Sequence, residues 1–305
     1  MKAQKGSSVE PGRLARGVTR VYLKSERVTN AALGLIRGCF DGIWLGLLSR
    51  RQLARIDEAY YDGSGLYVTE SYNRQGLWHW EQAAIENYFS GVRRIVVTSA
   101  GGGREVLALA KAGYEVAGFE PHQGLARFGS RLLAAEGLIV SIAPSERDRW
   151  PAGAIGADGA LVGWGGYMLI SGREHRVAFL REAAAQLPAG APILLSFFVQ
   201  AGVARRLRVA AGVANPLRRL LRREPVNVGD ALMPNLVHFF TRTEVAAELA
   251  DAGFDLLDFG SMDYGWAVGM KASRDQEGKA CVVTSVELDR DRTGVGQNAN
   301  GGACA

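Results

Sequence analysis

The apolar positions along the chain change their period at residue 91. From 30 to 61 they recur at helix-like spacing, at Leu33, Ile36, Phe40, Ile43, Leu47, Leu53 and Ile56. Asp62-Gly63-Ser64-Gly65 closes this stretch as a turn. The stretch 66–89 is rich in aromatic residues and leads into a predicted helix over 80–89. Beyond Gly91 short apolar runs predict strands over 94–98, 114–120, 138–142, 158–162 and 192–199, with helices over 104–112, 122–136 and 172–186 between them. Strands that alternate with helices of this length predict βαβ units, a parallel sheet and right-handed crossovers.

Residues 201–237 interrupt that rhythm. Their arginines and leucines predict two short basic helices broken at Asn215-Pro216, because proline removes a helix donor and restricts the residue before it. The alternation then resumes. Thr241 with Glu244 three residues on forms a capping-box pattern for a helix to Ala252, Gly253 stops it, and strands follow over 255–259 and 265–271. The predicted fold is therefore α/β, a doubly wound, mostly parallel sheet of seven strands, with an N-terminal helical cap and a basic helical insert after the fifth strand. The expected organisation is a flexible arm over 1–20 and one domain over 21–271. In that domain the cap covers 21–90, and the core covers 91–271 with a lid-like insert at 201–237. The tail 272–305 turns polar and Gly/Asn-rich and is expected to be disordered.

Composition narrows the classes. The chain has 305 residues, 48% of them hydrophobic, enough for a substantial core. Its three cysteines, Cys39, Cys281 and Cys304, form neither a CxxC pair nor a disulfide framework, which points to a reducing, cytoplasmic setting. The four histidines have no metal-ligand spacing, so no metal is expected. The net charge of +5 suits an acidic substrate or an anionic surface. The most apolar run, 31–48, contains Arg37 and Asp41, which argues against a membrane-spanning helix.

One stretch carries chemistry. In VVTSAGGGREVLALAKAGYEVAGFEP three glycines stand between a strand and a helix, and Glu120 ends the next strand. Glycines there let a backbone approach a ligand closely and leave the N–H groups at the helix start free. A carboxylate at the tip of the second strand suits the two hydroxyls of a ribose. The geometry predicts a nucleoside-containing cofactor. The third glycine of the dinucleotide pattern G-x-G-x-x-G is missing, because Arg104-Glu105-Val106 follows.

The run AGGGRE instead resembles motif I of the class I S-adenosylmethionine-dependent methyltransferases. The resemblance covers about 91–271. It rests also on the strand Ile95-Val96-Val97, on Glu120, on Pro188-Ala189-Gly190 before the fifth strand, and on Phe240-Thr241-Arg242-Thr243-Glu244 followed by Ala252-Gly253-Phe254. The chain departs from the family at Val97 and Ser99, and it has no Asp after strand three, where Pro144-Ser145-Glu146 stand. The resemblance implies a Rossmann-like fold that binds S-adenosylmethionine through Ser99, Ala100, Gly101, Gly102, Gly103, Glu120, Pro121, Gly163 and Trp164. It implies an acceptor site lined by Tyr61, Tyr72, Trp78 and Tyr167, with His79, His238 and Tyr167 as candidate bases.

The function implied is methyl transfer to a small or medium-sized molecule. The alternatives are a protein or nucleic-acid methyltransferase, or a non-catalytic binding protein that keeps the fold. The arginines of 201–237 are expected to meet either an acidic carrier or an anionic membrane surface, making the protein membrane-peripheral, or to be a solvated face. That insert lacks base-stacking aromatics, which counts against nucleic acid.

Overall fold

The computed structural model describes residues 13–261 and 264–273, with side chains from residue 17. The tail expected over 272–305 lies almost wholly outside the described residues. In chain order the elements are α1 (Arg13–Leu47), α2 (Arg50–Gly63), α3 (Glu70–Asn73), α4 (His79–Tyr88), β1 (Arg94–Thr98), α5 (Arg104–Lys111), β2 (Glu115–Glu120), α6 (Gln123–Ala135), β3 (Ile142–Pro144) and β4 (Gly159–Val162). Then come α7 (Arg173–Gln186), β5 (Pro192–Val199), α8 (Ala204–Leu220), β6 (Asp230–Leu232), β7 (Leu236–Phe240), α9 (Arg242–Asp251), β8 (Phe254–Ser261) and β9 (Gly265–Lys271). These elements form two compact units. Of the described residues, the larger holds Leu66–Tyr167, Glu174–Ser196 and those from Arg242 on; the smaller holds those up to Gly65, Met168–Arg173 and Phe197–Thr241.

The sheet of the larger unit runs β3-β2-β1-β4-β5-β9-β8. The strands β1 to β5 pair in parallel. β9 runs against them: Lys271 bonds Ala191 at the start of β5, while β8 pairs antiparallel with β9. Ile95, Val96 and Val97 of β1 are completely buried, as a central strand covered on both faces requires. Ile95 and Val97 join Phe89, Val106, Leu109, Leu133, Leu161 and Val268 in one core.

The third strand departs from expectation, being Ile142–Pro144 rather than 138–142. Residues 137 and 138 instead complete the end of α6. Gly137 takes φ +74, its N–H bonds Ala134, and Leu138 N–H bonds Leu133. That pair of bonds is the Schellman motif, which satisfies the last helix carbonyls. The apolar Leu138 and Val140 pack on the core without being strand.

In the smaller unit α1 begins at Arg13, inside the stretch expected to be a flexible arm. The insert is one helix, α8, that passes through Pro216 instead of two helices broken there. The bond Pro216 cannot donate would go to the carbonyl of Gly212, an exposed residue. Asn215 beside it exchanges two side-chain bonds with the backbone of Val226, which pins the following loop. Two strands, β6 and β7, follow where the sequence suggested only an insert; they pair antiparallel, and β7 runs parallel to the end of β5.

α1 and α8 pack unusually closely. A Cβ at Gly38, Gly42 or Gly46 would lie 2.8, 2.6 or 2.8 Å from Arg206 O, Ala210 O or a Leu217 methyl. Small residues four apart let two helix backbones approach in this way. Buried Asp41 is held there by Arg206 at 2.7 Å and Arg37 at 3.1 Å. Besides Arg206, two further arginines of the basic insert are bonded inside the unit. Arg218 donates to Leu45 O at 2.7 Å and also to Glu224 O, and Arg223 donates to Leu47 O at 2.5 Å. The stripe Leu33, Ile36, Phe40, Ile43 and Leu47, which reads as a core face, is exposed.

Candidate cofactor site

The site residues come from the ends of β1, β2 and β4 in the larger unit. After Thr98 the chain turns sharply. Ser99 sits at φ +50 and Gly101 at φ +54, and Gly103 at φ +97 starts α5. A non-glycine residue in the left-handed region costs free energy and marks a conformation the surroundings enforce. Here the enforcing element is the loop after β4. A Cβ on Gly163 would fall 2.2 Å from Ser99 O, and one on Gly166 would fall 2.5 Å from Ser99 Cβ. Gly163 and Gly166 of GWGG thus have a steric cause in Ser99. Gly163 N–H bonds Thr98 O at 2.7 Å, and Gly165 N–H bonds the Ser196 hydroxyl at 2.9 Å.

Glu120 is buried and holds the glycine loop. Its Oε2 accepts from Gly101 N–H at 2.8 Å, and its Oε1 accepts from His122 N–H at 2.7 Å. At Gly101 a side chain would meet nothing within 4 Å, so one side of the loop faces open space. Beside β2 and β3 a cavity of about 330 Å³ is lined by Phe119, Pro144, Ser145, Glu146 and Trp150.

At Gly102 the chain covers its own loop. A Cβ there would lie 2.2 Å from Tyr67 O and 2.7 Å from the Asn73 amide. Asn73 donates to Tyr67 O and Thr69 O at 3.0 and 2.8 Å, and its buried Oδ1 has no partner among the described residues. Tyr72 packs edge-on against Tyr67 and Trp78. Burial, then the charge of Glu105, hold the Tyr72 phenol well above the usual tyrosine range, so it stays protonated.

Arg104 fastens this cover to the loop. It donates to both oxygens of Glu81 at 2.7 Å, to Glu105 at 2.7 Å and to Gly76 O at 2.8 Å, and it stacks 4.7 Å from the Trp78 ring. Glu105 in turn accepts from Trp164 N–H at 2.9 Å. The cluster holds two carboxylates and one guanidinium. Burial pushes Glu81 up to about 7 against the pull of Arg104. Trp164 stacks edge-on against Tyr264 at 4.2 Å and lies beside Trp80, which stacks on Trp266.

The structure thus brings together Ser99, Ala100, Gly101, Gly102, Gly103, Glu120, Gly163 and Trp164, with Pro121 next to Glu120 and with Tyr72 and Trp78 close by. The remaining candidates have other settings. Tyr167 is fully buried and its hydroxyl donates to Glu248 at 2.6 Å, beside Arg176. A hydroxyl so committed holds the core. His238 is buried in the smaller unit, its Nδ1 2.7 Å from Asp230. His79 is exposed at the start of α4, and Tyr61 belongs to the smaller unit. Sequence reasoning missed Asn73, Glu81, Trp266 and Tyr264. Only Glu81 left a local signal: three residues after Trp78, its carboxylate accepts that residue's N–H at 2.6 Å. Among the described residues no group of three or more His, Cys, Asp or Glu side chains is arranged to hold a metal.

No protein-family model and no curated protein matches the chain. Solved structures do. A SAM-dependent methyltransferase from Methanosarcina mazei is similar at a TM-score of 0.53 and 19% identity, over 65% of this chain and 99% of that one. The CcbJ methyltransferase from Streptomyces caelestis is similar at 0.50 and 14%, over 71% and 96%. The fold of this chain is that of the Rossmann-like, S-adenosylmethionine-dependent methyltransferases.

Proposed function

We propose that this chain binds S-adenosylmethionine and transfers its methyl group to a small or medium-sized acceptor. The observation that carries the reading is the loop 99–103, bound through Gly101 N–H to a buried carboxylate at the tip of β2. Glu120 would hold the ribose hydroxyls. The cavity beside β3 would take the adenine; it has an aromatic and polar lining, and the buried Trp150 indole N–H has no partner among the described residues. The open side of Gly101 leaves space for the amino-acid part. The residues present therefore fit the cofactor.

Held by these residues, the cofactor would supply a methyl carbon made electrophilic by its sulfonium. The chain's own task is to orient the acceptor and exclude water. Trp164, Trp80, Tyr264 and Trp266 form the aromatic wall suited to that task. No described side chain stands out as a general base: Tyr167 and His238 are committed to internal carboxylates, and Tyr72 is held protonated. An acceptor that is already a lone-pair nucleophile at neutral pH fits this best, for an acid–base partner is then unnecessary.

The lack of a base also supports the second reading, a binding protein that keeps the fold without turnover. Calorimetry with S-adenosylmethionine, followed by assay of S-adenosylhomocysteine release over a panel of amines, phenols and thiols, separates the two. Turnover with any member supports the enzyme. Binding with no turnover supports the binder, and no binding removes both.

A further inference from the structure

The apolar stripe of α1 is a surface without a partner inside the smaller unit. Leu33, Ile36, Phe40, Ile43, Trp44 and Leu47 fall within an arc of about 100° at 3.6 residues per turn. Val18 and Tyr22 continue the same arc. All are exposed, Ile36 to 65%, Leu33 to 57% and Phe40 to 48%. The helix is already packed on its other side, where Gly38, Gly42 and Gly46 meet α8. The apolar row from Leu33 to Leu47 exceeds the scattered apolar exposure of ordinary surfaces.

Charge decides what covers it. Among the described residues the smaller unit has seventeen Lys and Arg against seven Asp and Glu, whereas the larger unit has thirteen against seventeen. On α1 the exposed Arg20, Lys24 and Arg27 lie on the side opposite the stripe. A helix is about 10–12 Å across, so these cations stay near one Debye length, about 10 Å, of whatever the stripe touches. No helix among the described residues is long and apolar enough to cross a bilayer alone.

We infer that α1 lies in the surface of an anionic lipid bilayer. Its Phe40–Trp44 stripe enters the boundary between headgroups and acyl chains, and the basic charge of the smaller unit draws it there. Such helices combine a large apolar face with a cationic polar face, and aromatic rings favour that depth. A second copy is disfavoured as the occupant because stripe-to-stripe pairing joins two strongly basic units. A nucleic acid is disfavoured because the stripe offers phosphates nothing.

The test is co-sedimentation of the full chain with phosphatidylcholine vesicles, with and without phosphatidylglycerol. The expected result is binding to the mixed vesicles alone, weakening as salt rises. Phe40→Ser with Trp44→Ser should lower that binding at least about tenfold. Arg20→Gln, Lys24→Gln and Arg27→Gln together should weaken it and flatten its salt dependence. Both variants should keep the wild-type melting midpoint and S-adenosylmethionine affinity. If the double serine variant fails to fold, Ile36→Gln replaces it on the same stripe. Failure of the wild type to bind mixed vesicles overturns the inference, as does equal binding by the stripe variants. A wild-type dimer that the stripe variants dissolve overturns it in favour of a second copy. Duplex or RNA binding independent of Phe40 and Trp44, with no vesicle binding, overturns it in favour of nucleic acid.

Discussion

Replacing Glu120 with alanine tests the centre of the proposed site. The carboxylate is only 6% exposed and accepts from Gly101 N–H at 2.8 Å and His122 N–H at 2.7 Å. Its removal has two consequences. The loop loses its tie, and two backbone donors must find water in the space vacated. A ribose would lose its charged acceptor as well. Charge-assisted bonds are worth about 1.5–3 kcal/mol each, and the cofactor term alone should weaken S-adenosylmethionine binding by about 10- to 150-fold. Glu120→Gln should rescue little. Its amide keeps one acceptor oxygen and turns an N–H pair toward one of the two backbone donors. Titration calorimetry gives the affinity, and the ligand-free melting midpoint gives the cost to the loop. If Glu120→Ala melts lower yet binds S-adenosylmethionine within about twofold of the wild type, the carboxylate is only a loop tie and the ribose assignment fails.

Two glycines of α1 should respond in opposite directions. Gly34→Ala meets nothing within 4 Å and should stabilise by about 0.5–1 kcal/mol through helix propensity, whereas Gly42→Ala puts a Cβ 2.6 Å from Ala210 O and should destabilise by about 1–3 kcal/mol; melting curves of the two variants check this. Tyr167→Phe removes a 2.6 Å bond to Glu248 and should lower stability by about 1–2 kcal/mol while leaving kcat/KM unchanged; a large fall in kcat would return Tyr167 to the chemistry. Glu81 gives a pH dependence. Burial raises it from 4.5 to about 7, so the folded state holds more protons than the unfolded state in that window. Its contribution is complete below about pH 4.5 and is lost as pH rises toward 7; the melting midpoint should fall across that range, and Glu81→Gln should flatten the fall.

The core of the larger unit was legible in the sequence because each of its signals is local. Ile95, Val96 and Val97 announce a buried strand, Gly101 to Gly103 a backbone held open, and Glu120 a carboxylate at a strand tip. Each sits within a few residues of the feature it specifies. The cover over Gly102 was not legible, for Asn73 and Glu81 act on a loop more than twenty residues away in sequence, through an amide and a carboxylate that look ordinary where they stand. Tyr167 and His238 looked reactive for the same reason. Their partners Glu248 and Asp230 are reached only by folding, and the reach turns a candidate base into a buried tie.

The same limit acts on α1 in a more consequential way. Helical spacing fixes which side chains share a face, but which face is buried depends on the partner. Leu33, Ile36, Phe40, Ile43 and Leu47 read as a core stripe by period alone. Yet α8 docks on the side of Gly38, Gly42 and Gly46, where carbonyls of one helix come close to the Cα atoms of the other. Glycines at a spacing of four from Gly34 to Gly46 were the available signal, and they carry no hydrophobicity to register. Close backbone approach leaves room for dispersion contacts and for the buried pairing of Asp41 with Arg206, and it frees the apolar stripe from any duty inside the unit. A chain that builds its helix pair from glycine while keeping Phe40 and Trp44 outside has separated the residues that fold the unit from those that meet its surroundings. Substituting the first set should therefore change the melting midpoint, and substituting the second should change only what the protein binds.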